Sequence, residues 1–279
     1  MNARLTLGIA LLGGMALAAI AAPLADAWLG HDPFAPDLFN RFAAPSADHP
    51  LGTDDLGRDL FLRMLHGARV SLAVGIAAAL TATTIGTAAG LIAAWRGGVA
   101  DAAIMRLADF LLALPALPLL VVLAAVDPVR LGLPARGEAA GAMLDIARIV
   151  VILAIFGWVG VARLARAAAL SVMALDYVRA ARALGASEPR ILLRHVLPNI
   201  LGPVAVATAL AVAGAILAES TLSFLGLGIS PPAPSWGNML ANAQELVFSA
   251  PMAAVWPGLA ILFAVAGCTL VADGLRARS

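Results

Sequence analysis

No lysine occurs anywhere in the 279 residues; all 18 basic side chains are arginine. A phosphate-binding loop of the G-x-x-x-x-G-K-[ST] type is therefore excluded, as are a Schiff-base lysine and a lysine general base. Any ATP hydrolysis that relies on such a loop belongs to another polypeptide. The one cysteine, Cys268, stands in an apolar run, which rules out disulfide frameworks and thiolate metal clusters. His31, His49, His66 and His195 fall in polar segments at spacings that form no local ligand pair, and no HExxH or HxxEH pair exists. Charge is scarce too: 13% of residues are charged and 62% hydrophobic, with mean hydropathy +0.94. A soluble chain of this length needs far more polar surface, so composition alone makes this an integral membrane protein. The net charge of +1 says nothing about partners.

What is present is a series of apolar runs long enough to cross a bilayer. They are Leu5–Leu29, Val70–Trp95, Ile104–Val126, Ile149–Leu164, Gly202–Leu225 and roughly Met252–Val271. Ala25-Asp26-Ala27 has the small-x-small ending of a signal peptide, but the length of its run and the later spans favour a permanent anchor. Gly86 and Gly90 are spaced for close helix contact, and Pro115 and Pro118 should kink the third span. Arg96 to Arg106 reads as a short basic connection, with Arg106 and Asp109 three apart and placed to neutralise each other. Asp127 to Asp145 reads as a polar loop and Gly226 to Ala250 as a proline-rich external segment, where Trp236 suits the membrane interface.

The chain divides accordingly into a first transmembrane helix (1–30), an external loop (31–69), a five-helix core (70–272) and a cytoplasmic tail (273–279). An amphipathic helix is expected over Leu56–Leu65, lying along the membrane face. With six spans and the amino terminus inside, both termini and the loop 169–200 share the cytoplasmic side. Eleven of the eighteen arginines then fall inside and seven outside, the asymmetry expected of inward loops.

The rest is organised around that loop, and within it around YVRAARALGASEPRILLRHVLPN, Tyr177 to Asn199. Apolar Tyr177, Ala180, Ala181 and Leu184 recur at helical spacing. Gly185 ends that helix, because glycine accepts the left-handed closing conformation. Ser187 can cap a second helix, with Glu188 and Pro189 in its first turn, and Pro198 is expected to stop it. A helix-turn-helix held between membrane spans is badly placed to read DNA, so nucleic acid is not an expected partner. A docking element for a soluble protein fits better.

Inside the membrane the sharpest position is Glu219, followed by Ser220, Thr221 and Ser223. A carboxylate at that depth is costly and faces the bundle interior, a partner or a water-filled path. It lines a path or gate, together with Ser220 and Ser223, or it is a satisfied interhelical contact near the outer end of the span.

Three separated motifs carry a resemblance. The stretch from Tyr177 resembles the EAA loop of membrane subunits of bacterial ATP-binding-cassette importers, whose pattern is E-A-A-x3-G-x9-I-x-L-P. Ala180, Ala181, Gly185, Leu197 and Pro198 match, while Arg179 stands in place of Glu and His195 in place of Ile. The runs HPLGTDDLGRDLFLRMLHGARVSL (His49 to Leu72) and LSFLGLGISPPAPSWGNML (Leu222 to Leu240) resemble the dipeptide, oligopeptide and nickel branch of those importers.

The resemblance implies an all-α type I importer permease in the bacterial inner membrane, with six transmembrane helices and a cytoplasmic coupling helix. It implies an ATPase-coupling loop that includes Tyr177, Arg179, Ala180, Ala181, Leu184, Gly185, Ala186, Ser187, Leu197 and Pro198. The partners it implies are a homologous second permease, two cytoplasmic ATP-binding subunits, an external solute-binding protein and membrane lipid. It implies no cofactor bound by this chain, ATP and magnesium being used by the ATPases. Peptides are the expected cargo, nickel or another small solute the alternative. From a different class comes an ion-coupled secondary transporter with Glu219 as proton site. An intramembrane enzyme lacks a nucleophile and base at helical spacing.

Overall fold

The computed structural model describes residues 3–126, 138–241 and 250–277, with backbone alone for 138–141. Among them there is no strand beyond an isolated bridge between Thr53 and Asp59. The helices are α1 (Ala3–Leu29), α2 (Leu60–Arg96), α3 (Gly98–Ala113), α4 (Ala116–Ala125), α5 (Glu138–Met173), α6 (Asp176–Ala183), α7 (Glu188–Phe224) and α8 (Pro251–Arg276). Five of these are long and apolar enough to cross a membrane, and α3 with α4, apolar together but bent by 88° at Leu114 and Pro115, makes a sixth where the pair counts as one broken span.

Close packing of small residues builds the bundle. A Cβ on Gly86 or Gly90 of α2 would stand 2.5 Å from the carbonyl oxygen of Trp158 or Ala162 on α5. The two backbones touch, as the glycine spacing predicts. Val74 and Ala78 of α2 meet Ile149, Ile152 and Leu153 of α5, Leu120 and Ala124 of α4 and Leu222 of α7 in one core cluster.

Several expectations change. Leu56–Leu65 is not a separate surface helix. Asp59 caps α2, its Oδ1 accepting from the Leu62 N–H at 2.8 Å, and α2 then runs unbroken into the membrane span. Leu56 to Arg58 belong to a turn that Asp54 organises: Oδ1 accepts from the Leu56 and Arg58 N–H groups, and Oδ2 pairs with Arg58 Nε at 2.8 Å. The acids of the G-T-D-D-L-G-R-D run thus work as turn, cap and ion-pair groups. The third span is broken rather than kinked, because Pro115 cannot continue the hydrogen-bond ladder and Leu114 before it turns extended. The basic connection before it shrinks to Gly97, and Asp109 pairs with Arg163 of α5 at 3.7 Å rather than with Arg106.

Of the polar loop, 127–137 lies outside the described residues, while α5 already includes Asp145, which is buried. Pro198 does not stop a helix either. It has no N–H for the Arg194 carbonyl, and the ladder widens just before it into a π-turn, Leu192–Val196, where the Leu197 N–H reaches the Leu192 oxygen. The helix that begins after Ser187 is therefore the inner end of the fifth span. Ser187 occupies the cap position without a side-chain cap bond. Trp236, finally, is 1% exposed, so it is a core residue and not an interfacial one.

Candidate functional site

One end of the bundle carries α6. Two residues, Ala174 and Leu175, join it to α5, and Val178 anchors it from below. Val178 is fully buried in a cluster with Ala94 of α2, Ala165 and Ala169 of α5, and Ile191, Val196 and Ile200 of α7. Gly185 stands at φ +83°, and around it the Gly185 N–H bonds Arg182 O while the Ala186 N–H bonds Ala181 O, a glycine-terminated helix end. Across this turn Arg182 grips Glu188 with two bonds of 2.7 and 3.1 Å. At the other end of α6, Asn199 donates to the Tyr177 hydroxyl at 3.2 Å and to the His195 carbonyl at 2.6 Å. The helix α6 is thus tied to the base of α7 at both of its ends.

Outward from this frame, Tyr177, Arg179, Ala180, Leu184, Gly185, Ser187 and Pro198 are exposed, and Ala181, Ala186 and Leu197 are half-buried. Leu184 is 88% exposed and Leu193 66%. A Cβ on Gly185 would meet nothing within 4 Å. Sequence reasoning missed Val178, the Arg182–Glu188 clamp and Asn199. The apolar spacing around Tyr177 could have pointed to Val178 as the inward residue.

At the opposite end of the bundle the polar groups close on one another. Glu219 has no exposed surface. Its Oε1 accepts from Ser223 Oγ at 2.7 Å, and its Oε2 accepts from Ser71 Oγ of α2 at 3.1 Å and Ser220 Oγ at 3.4 Å. Two of these serines, and Ser235 next to Trp236, are themselves held by backbone donors. Ser71 accepts from the Trp236 N–H, Ser223 from the Ile229 N–H and Ser235 from the Asn238 N–H, each at 3.1 Å. Three serine hydroxyls thus converge on one buried carboxyl group. The network folds the segment 229–238 back onto the bundle. There Trp236 packs among Ala19 of α1, Ala68 and Leu72 of α2, Ile216 of α7, and Ala260 and Ala264 of α8. Its indole N–H donates to the Met64 carbonyl at 3.2 Å.

Between the two ends lies a cavity of about 270 Å³, lined among others by Ala78, Ala82, Leu120, Phe156, Gly214 and Ala218. It carries no ionisable group. Among the described residues no cluster of His, Cys, Asp or Glu could hold a metal ion.

Residues 86–279 match the family described as the binding-protein-dependent transport system inner membrane component. The chain belongs to that family. This transport component is 40% identical over 254 residues to a glutathione transport system permease protein of Pectobacterium atrosepticum, covering 91% of this chain and 72% of that one. It is 38% identical to a dipeptide transport system permease protein of Alkalihalophilus pseudofirmus, covering 91% and 71%. An oligopeptide transport system permease protein of Bacillus subtilis is 36% identical, again covering 91% and 71%. As a component of this family the chain is a multi-pass inner membrane permease and a transport subunit rather than an enzyme. Its helices have the type I importer permease fold.

Proposed function

We propose that this component passes short peptides through an ATP-driven importer, with α6 as the helix on which cytoplasmic ATPases dock. The observation that carries the docking assignment is the pairing of exposure with rigid support. Ala180, Leu184 and Gly185 face outward on a turn whose own ends are clamped to α7. An isolated subunit gains nothing by exposing Leu184 on a helix held that firmly, whereas a partner groove does. The chain works with a homologous second permease, two ATP-binding subunits that use ATP and magnesium, and an external solute-binding protein. Both termini and the loop 169–200 lie in the cytoplasm; of the division 1–30, 31–69, 70–272 and 273–279, the second part gives up its last ten residues to α2, which begins at Leu60, and the tail gives up its first four to α8, which runs to Arg276.

Glutathione, dipeptides and oligopeptides appear in the names of the relatives, which supports a peptide cargo over nickel. The cavity between the ends fits that cargo class, since walls of alanine, glycine, leucine and phenylalanine make no demand on peptide side chains. Nucleotide binding draws the ATPases together, α6 follows, and the bundle alternates between inward-open and outward-open. Glu219, with Ser220 and Ser223, anchors the outer segment and is neither a gate nor a proton site. Three serine hydroxyls already bond its carboxyl group, and it has no exposed surface for a cargo amine to reach.

The test is a detergent pull-down of the subunit with and without Gly185→Trp, assayed for ATP hydrolysis and, in vesicles, for dipeptide uptake. Hydrolysis that accompanies the natural subunit and is lost with Gly185→Trp supports the assignment. Uptake without any ATPase, abolished by Glu219→Gln, overturns it in favour of ion-coupled transport.

A further inference from the structure

The broken third span contains a helix fastened in an unusual way. In α3 only Ala108 is buried, so apolar packing holds it weakly. Its ion pairs run to α5: Asp101 takes the Arg166 guanidinium in a bidentate grip, with both bonds at 2.5 Å, and Asp109 meets Arg163 at 3.7 Å. The paired positions ascend on α3 and descend on α5, as in antiparallel neighbours. A bidentate guanidinium–carboxylate pair fixes direction as well as distance.

Both ends of α3 are joints. At one end Gly97 and Gly98 stand at φ +60° and +50°, and a Cβ on either would meet nothing within 4 Å. At the other, the chain turns through 88° at Leu114 and Pro115. A rod with a joint at each end and its fastenings along the middle moves with whatever it is fastened to. Here that is α5, which ends at Met173, two residues before the docking helix.

We propose that α3 and α5 move as one body, the Asp101–Arg166 pair being the link that passes displacement of the docking loop to the broken span. Asp101 and Arg166 are then positioning residues for transport. They touch neither nucleotide nor cargo. The proposal rests on the reading of α6 as an ATPase docking helix. Since α5 is itself packed backbone to backbone on α2, the joint at Gly97–Gly98 is where α3 would swing free if the pair were broken.

The experiment uses the full complex in lipid discs, with spin labels on cysteines introduced in pairs at Val99 of α3, Leu164 of α5 and Leu201 of α7, all exposed. Cys268 is 2% exposed and stays out of the labelling. Distances are read without nucleotide and with ATP trapped by vanadate. Both the 99–164 and the 99–201 distances should stay within their own distributions, because α6 is tied to α5 and α7 alike. In Asp101→Asn and Arg166→Gln the 99–164 distance should broaden and change with nucleotide, and exchange of the pair, Asp101→Arg with Arg166→Asp, should restore its constancy. A purely structural pair does not predict that nucleotide dependence. A 99–164 shift with nucleotide in the natural sequence overturns the link, as does a constant 99–164 distance in the single variants. If the variants fail to assemble, the natural sequence with labels alone still decides between one body and two. A complex from which no ATPase can be recovered overturns the docking reading instead, and the link with it.

Discussion

The inner and outer ends of this bundle solve opposite problems. At the inner end the backbone is fixed and the side chains are unfinished: Leu184 is 88% exposed above a helix held by Val178, Tyr177 and Arg182. At the outer end the polar groups of the Glu219 network answer one another, and Trp236 is sunk among four helices. One end awaits a protein surface; the other has already made its own. Buried polar networks cost most when broken, whereas exposed ion pairs contribute little to stability. Substitutions should therefore damage the fold at the outer end and the partnership at the inner end.

The largest effect on the fold is expected from Trp236→Ala, which empties a large buried site and should cost about 3–5 kcal/mol. Heating the protein in detergent with a thiol-reactive dye reads this directly, because Cys268 is buried until the bundle opens. An unchanged unfolding temperature would remove the outer segment from the core. Glu219→Gln comes next. The amide turns a donor toward serine donors, and a loss of about 1–3 kcal/mol follows from leaving buried groups unanswered. Uptake in the same variant should fall no further than stability does, which separates an anchor from a proton site.

Gly185→Trp should cost the fold only roughly 1–2 kcal/mol for a side chain at positive φ, yet remove the co-purifying ATPase. Gly185→Asn, which tolerates that conformation better, should retain more of it. The smallest expected effect is that of Arg182→Ala. Its clamp is largely exposed, so the unfolding temperature should not move, while ATPase recovery weakens by about threefold and becomes more sensitive to salt. If Arg182→Ala instead unfolds the protein, the contrast between the two ends fails.

The parts legible in sequence were those with a local cause. Apolar run length gave the spans, spacing gave the docking helix, and Gly185 gave its turn. The parts that were not legible depend on neighbours far along the chain. Ser71 is 148 residues from Glu219, and Arg166 is 65 residues from Asp101, so neither partnership has a local signature. Pro115 announced a bend but could not announce one of 88°. Trp236 in a proline-rich outer stretch looked interfacial because nothing nearby in sequence tells that the segment returns into the bundle. Pro198 misled for a related reason. A missing N–H ends a helix in isolation, but a ladder that widens ahead of it can carry the helix through.

That widened turn, Leu192–Val196, has a consequence for phase. Each residue of an α-helix advances the chain about 100° around its axis. The π-turn holds one residue more than an α-turn, so the docking end of α7 and its membrane end are offset by about that angle relative to a single regular helix. The direction in which α6 points beneath the bundle is therefore set by the number of residues in this stretch as much as by their identity. Deleting the exposed Leu193 would let the ladder heal and turn α6 relative to the membrane end of α7 by about a quarter turn, leaving every side chain of α6 in place on a surface aimed elsewhere.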